Sequence, residues 1–288
     1  MDAKTRQTRT RWDALSKAGV ACARPSLKMT KTNARRQLDP EQLLGDITGK
    51  HVLCLASGGG QQSVAFAMLG AIVTVVDLSS EQLKGDKLAA KKMKLAIKTI
   101  QADMRDLSIL GDSSFDIIYQ PYSINYVRSV EIAFDEVTRL LKPNGIYHLM
   151  FHNPFVHGSW KDGCWGSAWK TDDLWHGKGY PLWQRYREGE PIRTDDPRWH
   201  FEAADGKQVA LESPQEYKHT LSTIINGLIK RGLTILKFKE YTLSAGKNKP
   251  GSWEHYASCA APWLFLWCQK SQPSSQQSPP SCGFTIRK

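Results

Sequence analysis

The chain has 288 residues, 39 lysines and arginines against 28 acids, a net charge of +11, 41% hydrophobic residues and 10% aromatic residues. That is enough apolar material for one large domain or a domain with a substantial insertion, and it excludes wholesale disorder. No stretch approaches the roughly 18 apolar residues that cross a bilayer, and Met1-Asp2-Ala3-Lys4 lacks the apolar run of a secretory signal, so a soluble cytoplasmic protein is expected.

The six cysteines, Cys22, Cys54, Cys164, Cys259, Cys268 and Cys282, form no C-x-x-C pair and no zinc-type spacing. Neither a metal site nor a disulfide framework is expected. The charge is unevenly placed: residues 1 to 36 carry ten basic residues and two acids, and residues 84 to 98 carry six lysines and one acid. The remainder is slightly acidic, so the two clusters read as a basic arm and a solvated helix face.

From residue 51 to 151, short β-branched runs alternate with helical periods, the pattern of a parallel sheet built from βαβ units. His51 to Leu55 reads as the first strand, followed by a glycine turn and a helix from about Gln61 to Leu69. Ile72 to Asp77 is the second strand. Ser79 or Ser80 caps a helix running to about Leu95, with Glu81 favourably placed in its first turn. Ala96 to Gln101 and Phe115 to Gln120 are the third and fourth strands, and Val130 to Leu141 is a helix. Lys142-Pro143-Asn144-Gly145 is a turn leading into a fifth strand that ends at Phe151.

Ser213-Pro214-Gln215-Glu216 reads as a helix N-terminus, with a capping serine, a proline at the first helical position and a glutamate to complete the box; Gly232 closes that helix. Leu233 to Tyr241 and Pro262 to Gln269 are two final antiparallel strands joined through residues 242 to 260. The expected fold is thus α/β: a Rossmann-like, seven-stranded, mostly parallel sheet with helices on both faces. Residues 152 to 212 interrupt it, too long for a structureless loop and holding six of the ten tryptophans. An aromatic-rich lid insertion is expected there. The division by composition is a basic N-terminal arm over 1–47, a core over 48–151, the lid over 152–212, the rest of the core over 213–270, and a disordered Ser/Gln/Pro-rich tail over 271–288.

Ser57-Gly58-Gly59-Gly60 lies between a strand and a helix, where glycines let the backbone approach a ligand and the helix start offers free N–H groups. Asp77 ends the next strand, placed to accept from ribose hydroxyls. After the third strand, Asp103 can accept from an exocyclic amine while the Met104 N–H donates to a ring nitrogen, together reading an adenine edge. Gly58-Gly59-Gly60-Gln61-Gln62-Ser63 lacks the last glycine of a nicotinamide fingerprint, and the Gly-Lys-Ser/Thr of a P-loop is absent.

In this order, the sequence resembles the class I S-adenosylmethionine-dependent methyltransferases over residues 48 to 151 and 213 to 269. Gly58 and Gly60 match the family's acidic-x-Gly-x-Gly-x-Gly motif, while Cys54 stands where the acid would be and Ala56 where the first glycine would be. The resemblance implies S-adenosylmethionine as cofactor, Asp77 as the ribose acid, Asp103 as the adenine acid, and an N-terminal helical cover over the cofactor, a role for Trp12 to Pro25.

The resemblance does not supply the acceptor. Open α/β sheets bind ligands at their C-terminal edge. Tyr122 is placed there on the cofactor side and Tyr126 on the acceptor side, and His152-Asn153 through His157 follows the fifth strand. His152 and His157 are the candidate bases, since neutral imidazole works near pH 7. Asn153, Trp160 and Trp169 are candidate acceptor contacts. The reading is methyl transfer to a small molecule, without nucleic acid or membrane as partner. A tRNA or rRNA methyltransferase and a non-catalytic S-adenosylmethionine-binding protein are the alternatives.

Overall fold

The computed structural model describes residues 1–157, 179–180, 182, 184–192, 198–212, 214–244, 246 and 248–272, with backbone alone at 198–200. Seven strands form the main sheet: β1 (His51–Leu55), β2 (Ile72–Asp77), β3 (Ile97–Gln101), β4 (Phe115–Gln120), β5 (Leu141–His152), β10 (Leu233–Glu240) and β11 (Trp263–Lys270). Their order is β10-β11-β5-β4-β1-β2-β3, and β11 runs antiparallel to both its neighbours. β1 lies beside both β2 and β4, so strand order reverses there and opens a crevice at the C-terminal edge.

Burial on both faces explains the unbroken apolar run of β1. Side chains alternate across a strand: Val52 and Cys54 enter one core cluster with Phe66, Val75 and Ile117, while Leu53 and Leu55 enter the other with Phe134, Tyr147 and Leu149. α3 (Gln62–Met68) contributes to the first cluster. α5 (Val130–Leu140) belongs to the second, burying Val130, Ala133, Phe134, Val137 and Leu140 at helical spacing. Phe134 is fully buried, so Phe134→Ala is expected to lower unfolding free energy by about 3–5 kcal/mol, measured by denaturant titration.

Of the helix expected from Ser213, the described residues 214–220 are not helical. Tyr217–Lys218 (β9) pairs instead with Glu190–Pro191 (β6), and α6 starts later, over Leu221–Ile229, with the Thr220 hydroxyl accepting from Thr223 N–H. The reason is Glu216: its carboxylate is buried against Tyr122 and His157, and does not fold back over a helix start. The turn expected at 142–145 is absorbed into β5, where Asn144 takes φ +61° beside a shift in the β4/β5 register. The connection 242–260 contains an unexpected helix, α7 (Trp253–Ala260), capped by Ser252.

α1 (Ala3–Ala18) starts under an Asp2 cap and ends at Gly19 in the left-handed region. It packs on α4 (Ser80–Met93) and on a hairpin, β7 (Arg198–Glu202) and β8 (Gln208–Glu212), from the end of the insertion. Phe201 of the hairpin joins Leu15, Val20 and Ala23 in a third, small core, so arm and insertion form one roof over the sheet edge. α2 (Lys31–Leu38) packs on α3. Trp160, Trp169 and, of the tail expected over 271–288, residues 273–288 lie outside the described residues.

Candidate active site

The site grows from the turn after β1. Ala56, Gly59 and Gly60 take positive φ, and a Cβ on Gly58 would sit 2.6 Å from the Gln82 Cβ and 3.0 Å from an Asp77 oxygen. Only glycine permits that approach, which brings the turn against the ends of β2 and α4. Gly58 N–H donates to Asp77 Oδ2 at 2.8 Å and Ser79 N–H donates to Oδ1 at 2.8 Å. Burial nevertheless pushes the Asp77 carboxyl up to about 6. Ser79 caps α4 as expected and also donates to Asp13 of α1, which ties the cover to the cofactor edge.

These residues open on a cavity of about 420 Å³, within the range of roughly 300–1,000 Å³ typical of small-molecule sites. Ser57, Gly58, Asp77 and Gln82 line one end and Asp103 and Met104 another, while Tyr122, Tyr126, Arg11, Trp12 and Phe201 close the far side. The cover helix therefore supplies part of the wall. Gly60, expected to bind cofactor, does not line the cavity; its N–H is turned to Asp86.

Asp103 sits where expected but is already engaged. Arg105 pairs with it through Nε (3.0 Å) and Nη2 (2.6 Å), and also bonds Thr5 and Asp2 of the N-terminal arm. The pairing fastens α1 across the cavity and leaves the remaining lone pairs of Asp103 for a ligand. Nothing in the Ala102-to-Leu107 segment signals that clamp, because its other half is about 100 residues away in sequence.

Beyond the cofactor end, Tyr122 and Tyr126 stand edge to face at 5.9 Å, and Trp12 meets Tyr126 at 6.2 Å. Arg11 lies over the Phe201 ring at 5.4 Å, and burial lowers its pKa. Tyr122 Oη donates to Glu216 Oε1 at 2.7 Å, and Glu216 Oε2 meets His157 Nε2 at 3.1 Å. Burial raises the Glu216 pKa against the effect of that hydroxyl bond, making it a stronger base than an ordinary carboxylate.

His152 and His157 stack on each other at 4.3 Å, almost wholly buried, and neither lines the cavity. Burial first, and for His152 then its neighbour His157, drives their pKa values well below 6.5, so both are neutral at pH 7. They stand behind Tyr122 and Glu216; of these four residues only Tyr122 lines the cavity, and its hydroxyl links it to Glu216 behind the wall. Asn153, expected to touch the acceptor, instead donates to the carbonyls of Ala260 and Ala261. Among the described residues, no group of three or more His, Cys, Asp or Glu side chains is arranged to hold a metal.

Residues 53–149 match the family described as "Methyltransferase domain". An uncharacterized methyltransferase, YbaJ, of Bacillus subtilis is 44% identical over 117 residues, covering 41% of this chain and 46% of that protein. Residues 53–149 are thus a methyltransferase domain. A ubiquinone biosynthesis O-methyltransferase of Alkalilimnicola ehrlichii is 29% identical over 115 residues, 39% of this chain and 47% of that protein. The chain spans about half the length of these curated relatives. In fold, it resembles an S-adenosylmethionine-dependent methyltransferase of Mesorhizobium loti, with a TM-score of 0.55 and 20% identity over 85% of this chain and all of that one.

The cavity fits S-adenosylmethionine on its own geometry. Asp77 lines the cavity with each carboxylate oxygen accepting one backbone N–H, from Gly58 and from Ser79, which leaves lone pairs for the two hydroxyls of a ribose, and Gln82 lines the wall next to it. Asp77 and Gln82 would hold the ribose, Ser57 and Gly58 the methionine end, and Asp103 with the Met104 N–H the adenine edge.

Proposed function

We propose that the chain transfers a methyl group from S-adenosylmethionine to a hydroxyl of a small, partly aromatic molecule. The observation that carries the reading is the continuous cavity from Asp77 and Asp103 to Tyr122 and Tyr126, roofed by α1 and Phe201. When bound, the cofactor supplies an electrophilic methyl on a sulfonium. The chain's part is to align the acceptor, exclude water and take the acceptor's proton. Trp12, Tyr126 and Phe201 give the acceptor apolar and ring surfaces. Tyr122 Oη accepts the acceptor's proton while passing its own to Glu216, with His157 holding the carboxylate from behind. A neutral amine would need no such relay, so the pair favours a hydroxyl. The O-methyltransferase relative is in keeping with that choice.

The positive charge supports no nucleic-acid reading. Lys84, Lys87, Lys91, Lys92, Lys94 and Lys98 are all exposed, and Lys91 and Lys92 occupy the last turn of α4, where they complement the helix dipole. The arginines lining the cavity, Arg11 and Arg105, are engaged with Glu212 and Asp103. Labelled methyl groups offered with a small-molecule extract and with total RNA are expected in the extract. Nucleic-acid binding is expected to be weak and to vanish between about 50 and 200 mM salt. Label in RNA, or tight binding at the higher salt, overturns the reading.

A further inference from the structure

In the sequence, Cys54 stands where the family's glycine motif begins with an acid, and in the structure it is a fully buried thiol. A carboxylate nevertheless reaches the glycine loop from another element. Asp86 of α4 is fully buried, and its Oδ2 accepts from Gly59 N–H at 2.9 Å. Its Oδ1 accepts from Gly60 N–H at 3.1 Å and from the Ser63 hydroxyl at 2.5 Å, so one acid ties two successive loop amides and the first turn of α3 to α4. The packing around it is close: a Cβ on Gly60 would stand 2.9 Å from the Gly85 carbonyl oxygen, and the loop at Gly59 lies 3.2 Å from the Cβ position of Gly85.

We infer that Asp86 is the positioning residue that shapes the glycine loop for the methionine end of the cofactor, in place of the acid missing from β1. The inference rests on the chain's binding S-adenosylmethionine. Two loop donors are spent on Asp86, which leaves Gly58 facing the cavity beside Asp77 and fixes Ser57 at its wall. An inert structural acid would gain little by being here. No Lys, Arg or His among the described residues bonds the carboxylate, and its burial is a cost to folding that an uncharged side chain of the same shape would avoid.

The proton state of Asp86 couples to the loop. Burial raises its pKa to about 7, aided by the charge of Asp77 on β2 and opposed by the three donors; Cys54 on β1 is the other titratable group facing it. The ionised form accepts all three bonds, whereas the protonated form turns its hydrogen to the Ser63 hydroxyl, which then accepts, and offers the two loop amides only a weaker, uncharged acceptor. Cofactor affinity should therefore fall as pH drops through about 7. The folding contribution has the opposite sign: a carboxyl whose folded pKa lies above its unfolded value binds more protons when folded. It costs stability as pH rises from about 4 towards 7.

The test is calorimetric binding of S-adenosylhomocysteine at pH 8 and pH 6 to wild type, Asp86→Asn and Ser63→Ala, with thermal unfolding of each. At pH 8, Asp86→Asn is expected to bind at least tenfold more weakly without a lower unfolding midpoint, and Ser63→Ala several-fold more weakly. Wild-type affinity is expected to fall several-fold from pH 8 to pH 6, with a smaller change in Asp86→Asn, where Asp77 alone remains to titrate. If Asp86→Asn does not fold, the wild-type pH series and Ser63→Ala still decide. Affinity unchanged in Asp86→Asn, or in wild type across the pH range, overturns the positioning role while leaving cofactor binding intact. Failure of the wild type to bind at pH 8 overturns the cofactor reading itself.

Discussion

Asp77→Ala is expected to weaken binding of S-adenosylhomocysteine by on the order of 1.5–3 kcal/mol, roughly ten- to a hundredfold or slightly more, as measured by calorimetry. Two losses combine. A charged acceptor disappears from the cavity wall where the ribose would lie, and Gly58 N–H and Ser79 N–H lose the carboxylate that holds the turn against the start of α4. Asp77→Asn separates them: Oδ1 of the amide still accepts a bond, but its NH2 would face a backbone donor. It should lie between wild type and Asp77→Ala. Equal affinity in wild type and Asp77→Ala would show that the ribose is held elsewhere.

The second large effect concerns the proton. Tyr122→Phe keeps the ring that packs against Tyr126 and His152 and removes only the hydroxyl bonded to Glu216; Glu216→Gln keeps the shape and removes the base. Each is expected to lower methyl transfer by roughly 10²- to 10⁴-fold with cofactor affinity retained. His157→Gln should have a smaller effect, because that ring touches the carboxylate and not the cavity. Should Tyr122→Phe transfer methyl groups at the wild-type rate while His152 or His157 variants fail, the base is a histidine and the relay is wrong.

The sheet was readable from sequence because its strands are short, apolar and bounded by turn residues. β1, β2 and β4 occupy the ranges that β-branched runs and glycines mark, and Asp77 is legible because it terminates such a run before a serine cap. The segment from Ser213 misled for a physical reason: its capping pattern is a local signal, and burial of Glu216 with Tyr122, 94 residues away, overrides it. Asp86 was hidden in a run of lysines that reads as a solvated face. Its spacing to Gln82, Leu83 and Ala89, the other buried residues of α4, places it on the inner side. That helical spacing is a signal present in the sequence and is the one that would have found it. The Arg105 clamp and the hairpin against α1 leave no such trace, since both join segments roughly 100 to 200 residues apart.

The most direct measurement is the crystal structure of the protein with S-adenosylhomocysteine. The ribose is expected on Asp77 and Gln82, the adenine edge at Asp103 and Met104, and the sulfur facing Tyr122 and Tyr126 with open space between them and Arg11. A ligand bound outside this cavity, or one whose sulfur points away from Tyr122 into solvent, would contradict that placement.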